Sequence, residues 1–88
     1  KDVPNNAETL NGLGLIEDRR GNSDEAIKFY KRAVSVNPKY EYAYNNLGVA
    51  YEKKGYIDLA VANYKQAVAI NPSFADARRN LERFKNKQ

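Results

Sequence analysis

The sequence predicts an all-α fold built from antiparallel helix-turn-helix units stacked side by side, five helices in all. Three observations carry that expectation: a 34-residue internal repeat, glycine and proline at fixed phases within it, and a third, shorter copy of its first half. At 88 residues the chain suits one domain. Folding at this size hides only about 60–65% of the unfolded chain's surface, so stacked units that cover each other use their residues better than one small globular core.

Two segments, Ala7–Tyr40 and Glu41–Phe74, align without a gap, and about twelve of the 34 aligned positions are identical. They include Leu13/Leu47, Gly14/Gly48, Gly21/Gly55, Asp24/Asp58, Ala26/Ala60, Tyr30/Tyr64, Ala33/Ala67, Asn37/Asn71 and Pro38/Pro72. A third segment, Ala75–Gln88, keeps Ala77, Asn80 and Leu81 in register with Ala43, Asn46 and Leu47. The expected organisation is therefore an unstructured leader over 1–6, repeats over 7–40 and 41–74, and a last helix over 75–88.

Each element follows from residue types. The repeats read as helices over Ala7–Arg20, Asp24–Val36, Glu41–Lys54 and Asp58–Ile70. Gly21 and Gly55 stand where a left-handed C-cap is needed. Asn22-Ser23-Asp24 offers an N-cap side chain and an acid for the positive helix end. Pro38 and Pro72 end the second helices, because the residue before proline avoids helical angles. Ser73 and Asp76 have the spacing of a capping box for the last helix. Gly14 and Gly48 lie inside helices, where glycine costs about 1 kcal/mol against alanine; the same choice in both repeats predicts close helix approach. Ala26, Ala33, Ala60 and Ala67 supply small faces, and Leu10, Leu13, Tyr44, Leu47 and Tyr51 fill the gaps.

These residues give the chain its family likeness. It resembles the tetratricopeptide repeat, whose signature runs aromatic, Leu-Gly, Tyr, then Ala, Phe and Pro. The second repeat carries it as Tyr44, Leu47-Gly48, Tyr51, Ala60, Tyr64, Ala67 and Pro72; the first departs at Leu10 and Glu17. The resemblance covers about residues 7–88 and implies a short right-handed α-solenoid. In the last helix the slots of Tyr44, Gly48 and Tyr51 become Arg78, Glu82 and Lys85, while Leu81 and Phe84 remain to pack backward. That pattern predicts a capping helix and an end to the solenoid near Gln88.

The resemblance further implies that first helices line a concave surface that takes extended peptides. Carried over by position, that face is Glu8, Asn11, Gly12, Leu15, Asp18 and Arg19, then Tyr42, Asn45, Asn46, Val49, Glu52 and Lys53, then Asp76, Arg79, Asn80, Arg83 and Lys87. The expected peptide-binding residues are Asn11, Leu15, Tyr42, Asn45, Asn46, Val49, Lys53, Arg79, Asn80 and Arg83. Asn46 and Asn80 occupy equivalent slots and form a short amide ladder, broken at Gly12; amides both donate to and accept from a peptide backbone. The alternative is polar filler. Arg79, Arg83 and Lys87 form a row that suits a carboxylate, or else a solvated face. Tyr42, Leu15 and Val49 offer an apolar floor, or else pack against a neighbouring helix. The two-lysine, two-asparagine, one-arginine clamp of the chaperone-tail subclass is not reproduced. Asn46 alone matches; Asn11, Leu15, Asp76 and Asn80 stand in the other four places.

Composition narrows the function. The chain has no histidine or cysteine, so Ser23, Ser35 and Ser73 lack an activating base and no thiolate metal site exists. No phosphate-loop or EF-hand spacing occurs. The expectation is a non-enzyme with no cofactor and no metal. Net charge is +4 and the pI about 9.4, but acids are interspersed with bases, which argues against nucleic acid. No apolar run approaches the roughly 18 residues a membrane span needs, and no signal-peptide pattern opens the chain, so an intracellular, cytoplasmic setting is expected. The expected function is a scaffold or adaptor that binds a protein or peptide, with an affinity for acidic groups. Self-association by stacking is the first alternative and a basic nucleic-acid-associated domain the second.

Overall fold

The computed structural model describes residues 6–85. They form α1 (Ala7–Arg19), α2 (Ser23–Val36), α3 (Glu41–Lys53), α4 (Ile57–Ile70) and α5 (Ala75–Lys85). Each helix packs on the next, and α1 also touches α3. The result is an elongated stack of 46 × 26 × 16 Å.

The helix ends show why the repeat keeps its punctuation. Gly21 and Gly55 have φ of +85° and +84°, the left-handed conformation. Gly21 N donates to Asp18 O at 3.0 Å and Asn22 N to Glu17 O at 2.9 Å; Gly55 and Tyr56 repeat both bonds on Glu52 and Tyr51 at the same lengths. This is the Schellman arrangement, and it turns the chain back after each first helix. The second helices stop at Asn37 and Asn71, both at φ −136° and ψ 93°, directly before the prolines. The side chain of each asparagine then accepts from the residue two along, Lys39 or Ser73, at 3.1 Å.

Three local expectations are corrected. Asn6, placed with the unstructured leader, is the N-cap of α1, and its Oδ1 accepts from Thr9 N at 3.0 Å; residues 1–5 lie outside the described residues. Asn22 is the N-cap of α2 by position but makes no side-chain cap bond. Its Nδ2 donates to Glu17 Oε1 at 2.8 Å instead, because the Schellman turn brings it over the end of α1. Ser73 and Asp76 do not form a capping box. The helix begins at Ala75, one residue too late, so Ser73 is held in the turn on Asn71 and Asp76 pairs with Arg79.

The core is made of rings on glycine. Tyr30 and Tyr64 are fully buried, and Ala26, Ala33, Ala60 and Ala67 flank them at zero exposure. A Cβ on Gly14 would lie 2.6 Å from Tyr30 Cδ1, and one on Gly48 at the same distance from Tyr64 Cδ1. The glycines therefore let α1 and α3 close onto these rings. Leu10, Leu47 and Tyr51 fill the gaps as expected. Leu13 is only half-buried. Its counterpart Leu47 shares a cluster with Ala26, Ile27 and Tyr30 of α2, and no described helix covers Leu13 in that way. Tyr44 is also half-buried. On α5, Arg78, Glu82 and Lys85 are exposed, while Leu81 and Phe84 pack backward. The Phe84 ring stacks on Tyr64 with centroids 6.3 Å apart.

The glycines supply a test with opposite signs. Gly48→Ala destabilises the chain by about 1–3 kcal/mol, since a buried ring must be displaced. Gly12→Ala, where an added Cβ meets nothing within 4 Å, stabilises it by about 0.5–1 kcal/mol. Urea denaturation of both variants checks the contrast.

Candidate peptide-binding groove

The first helices α1, α3 and α5 lie side by side and are tied by polar side chains. Asn46 Nδ2 donates to Asn11 Oδ1 at 2.9 Å, and Asn80 Nδ2 to Asn45 Oδ1 at 3.0 Å. Lys53 Nζ meets Asp18 Oδ1 at 2.8 Å. Arg83 grips Glu52 with both terminal nitrogens at 3.0 Å and also donates to Asn80 Oδ1 at 3.2 Å. Two of these ties join residues 35 apart at the asparagines, one more spans 35 at Asp18–Lys53, and the Glu52–Arg83 tie spans 31. The register is thus one repeat plus one residue, or one repeat less three, as neighbouring parallel helix faces require.

This register changes the reading of the asparagines. Asn46 and Asn80 do not form a ladder with each other; each binds the asparagine one slot earlier on the preceding first helix. Asn11 and Asn45 are accordingly buried, at 7% and 8% exposure, and Asn46 and Asn80 are half-buried. Gly12 breaks nothing, because Asn11 is the residue that faces α3.

The apolar residues lie along the same helices. Leu15 and Val49 are half-buried against the core cluster. Tyr42 is half exposed, and Tyr40 and Phe74 stand edge-on to it at 5.5 and 5.1 Å. Those two flanking rings were absent from the expected site. The signal for them was available, since Tyr40 and Phe74 are equivalent positions one period apart.

The basic residues of the expected site, Lys53, Arg79 and Arg83, are engaged within the protein. Arg79 pairs with Asp76 at 2.6 Å, Arg83 is committed to Glu52, and Lys53 to Asp18; Lys87 lies outside the described residues. The Arg83 guanidinium holds the Glu52 carboxyl below its usual range, with Tyr64 helping and partial burial opposing. Tyr64 Oη donates to Glu52 Oε1 at 2.7 Å. Burial first, then the hydrogen bond to Glu52 and its charge, push the Tyr64 phenol up. In the first repeat Asp18 stands where Glu52 stands and is one methylene shorter. Tyr30 Oη is buried and has no hydrogen-bond partner among the described residues. Again burial, then the Asp18 charge, pushes that phenol up.

Among the described residues no group of three or more metal-ligating side chains gathers, and no helix is long and apolar enough to cross a membrane.

The unequal tyrosines predict unequal variants. Tyr64→Phe destabilises by about 1–2 kcal/mol through the lost charge-assisted bond, whereas Tyr30→Phe changes stability by less than about 0.5 kcal/mol. Asp18→Glu stabilises by about 1 kcal/mol if its longer arm reaches Tyr30. Denaturant midpoints at neutral pH check all three. Because the Glu52 pKa is depressed in the fold, its contribution is complete above the unfolded carboxylate value of about 4.3 and is lost as pH falls through the folded value. Arg83→Ala removes that part of the acid-induced loss, read as a flatter stability profile below that pH.

The arrangement matches known proteins. A family model described as TPR repeat matches residues 19–55, and one described as tetratricopeptide repeat matches residues 41–74. No curated protein sequence matches. Among solved structures, a crystal structure of MamA is 30% identical, with a TM-score of 0.83 over 86% of this chain and 44% of that one. A second crystal structure of MamA is 38% identical, with a TM-score of 0.69 over 78% of this chain and 38% of that one. The chain thus spans less than half the length of the MamA chains it matches. The first TPR of Spaghetti (RPAP3), bound to the HSP90 peptide SRMEEVD, superposes with a TM-score of 0.88 over 96% of this chain and 67% of that one. At 20% identity that likeness is one of fold. With the two models together matching residues 19–74 and the helix pairs stacked as described, the chain belongs to the tetratricopeptide-repeat family.

Proposed function

We propose that the chain is a non-catalytic protein-interaction module that binds an extended peptide or protein segment along the face of α1, α3 and α5, as a scaffold or adaptor. The observation that carries this reading is the pair of cross-helix amide bonds, Asn11–Asn46 and Asn45–Asn80. Each bond uses one donor and one acceptor. Asn46 Oδ1 and the Nδ2 groups of Asn11 and Asn45 make no other side-chain bond among the described residues, and none is a fully buried orphan. The internal bonds fix the amide planes, and the remaining groups meet a peptide main chain regardless of its sequence. Leu15, Val49 and the exposed edge of Tyr42 add apolar contact beside them. Tyrosine is a favoured anchor in such settings.

Arg79 and Arg83 are engaged by Asp76 and Glu52, so the face offers amides and apolar surface more than free positive charge. The peptide complex of the Spaghetti (RPAP3) repeat supports segment binding by this fold. Its peptide does not transfer with it, since four of the five chaperone-tail clamp positions hold other residues here.

Peptides selected from a displayed random library supply the test. Chemical-shift mapping with a selected peptide moves Leu15, Tyr42, Asn46, Val49 and Asn80 and leaves the outward Lys31 and Lys65 unmoved. Asn46→Ala combined with Asn80→Ala weakens binding by about tenfold or more, about 1.4 kcal/mol, with helicity retained. Shifts confined to Lys31 and Lys65 contradict the reading.

A further inference from the structure

The repeat places a tyrosine and a carboxylate together beneath both first helices, and only one of the two sites is complete. In the second repeat Tyr64 Oη donates to Glu52 Oε1 at 2.7 Å, and Arg83 of α5 covers both carboxylate oxygens with two donors at 3.0 Å. One period earlier stand Tyr30, Asp18 and, in the place of Arg83, Val49. Tyr30 is fully buried, and its Oη is the one fully buried side-chain polar atom without a partner among the described residues. Asp18 is near enough for its charge to oppose ionisation of that phenol, after the larger effect of burial. Lys53 takes Asp18 Oδ1, and Oδ2 makes no bond among the described residues. Val49 is half-buried and carries no polar atom to meet either group.

We propose that Asp18 and Tyr30 form a subsite for the guanidinium of an arginine side chain in the bound segment, entering over Val49. The molecule supplies a template at the carboxylate: one repeat later Arg83 covers both oxygens of Glu52, to which Tyr64 Oη also donates. A guanidinium donates one N–H to Asp18 Oδ2 and a second to Tyr30 Oη, which gives the buried phenol its missing partner. Its planar fork suits two acceptors at fixed separation better than an ammonium does. The Lys53 side chain is half exposed and takes only Asp18 Oδ1, which leaves Oδ2 for the guanidinium. The inference deepens the groove reading and rests on it. It turns the expected affinity for acidic groups around, because Lys53, Arg79 and Arg83 are already paired and the incomplete site is a carboxylate.

The experiment titrates the chain with acetyl-glycyl-arginyl-glycine amide and follows side-chain NMR signals. The comparison is the same tripeptide with uncharged citrulline for arginine. Saturable shifts of the Val49 methyls and the Tyr30 ring are expected with arginine and not with citrulline. Asp18→Asn weakens the binding by about tenfold or more. Val49→Arg, which supplies the guanidinium from within, leaves the Tyr30 ring unresponsive to the tripeptide. Equal shifts with citrulline, no shift with arginine, or unchanged binding by Val49→Arg overturns the subsite. A library-selected peptide that moves Asn46 and Asn80 while Tyr30 stays unmoved also removes the subsite, and keeps the groove.

Discussion

The structure depends on two aromatic rings seated against two glycines. Tyr30 and Tyr64 are too large to be buried between antiparallel helices unless the facing helix surrenders its side chain, and Gly14 and Gly48 do so. Glycine weakens a helix by about 1 kcal/mol, and burying a large side chain returns about 1.5–3 kcal/mol. Burial therefore wins at both positions. The alanines one turn to either side extend the close approach along each pair. The next pair then stacks on the exposed flank of the first, through Leu47 and Tyr51 on Ala26, Ile27 and Tyr30.

The same contact sets the face proposed for binding. With the second helix held tightly behind each first helix, the first helices stand side by side and their polar edges interlock at fixed register. Asparagine meets asparagine, Lys53 meets Asp18, and Arg83 meets Glu52. The phenol of Tyr64 passes from the core to this edge and bonds Glu52, so core and face are one hydrogen-bonded unit in the second repeat. In the first repeat the chain of contacts stops at Tyr30 Oη. The excess of positive charge lies elsewhere. Lys31, Arg32, Lys39 and Lys65 are exposed and belong to the second helices and the turn after α2.

Most of the architecture was legible because its signals are local. Gly21 and Gly55 mark left-handed caps and Pro38 and Pro72 mark helix ends, each acting within a few residues of itself, and Gly14 and Gly48 mark close approach by recurring at one phase of both repeats. The site was less legible because it is built across repeats. An alignment at a period of 34 pairs Asn46 with Asn80, whereas packing offsets facing helices by one residue and pairs Asn46 with Asn11. Burial of Asn11 and Asn45 follows from that offset and from nothing in their own neighbourhood. The basic row of α5 likewise looked free in sequence, because Glu52 lies 31 residues from Arg83. Ser73 misled for a smaller reason: Asn71 captures the turn, and the helix starts one residue later than a capping box needs.

A structure of the chain with a library-selected peptide tests the central claim most directly. The peptide main chain is expected to lie across α1, α3 and α5, with hydrogen bonds to the amides of Asn46 and Asn80 and the outer faces of α2 and α4 left in water. A peptide seated on Lys31 and Lys65 instead, with the asparagine pairs untouched, would contradict it.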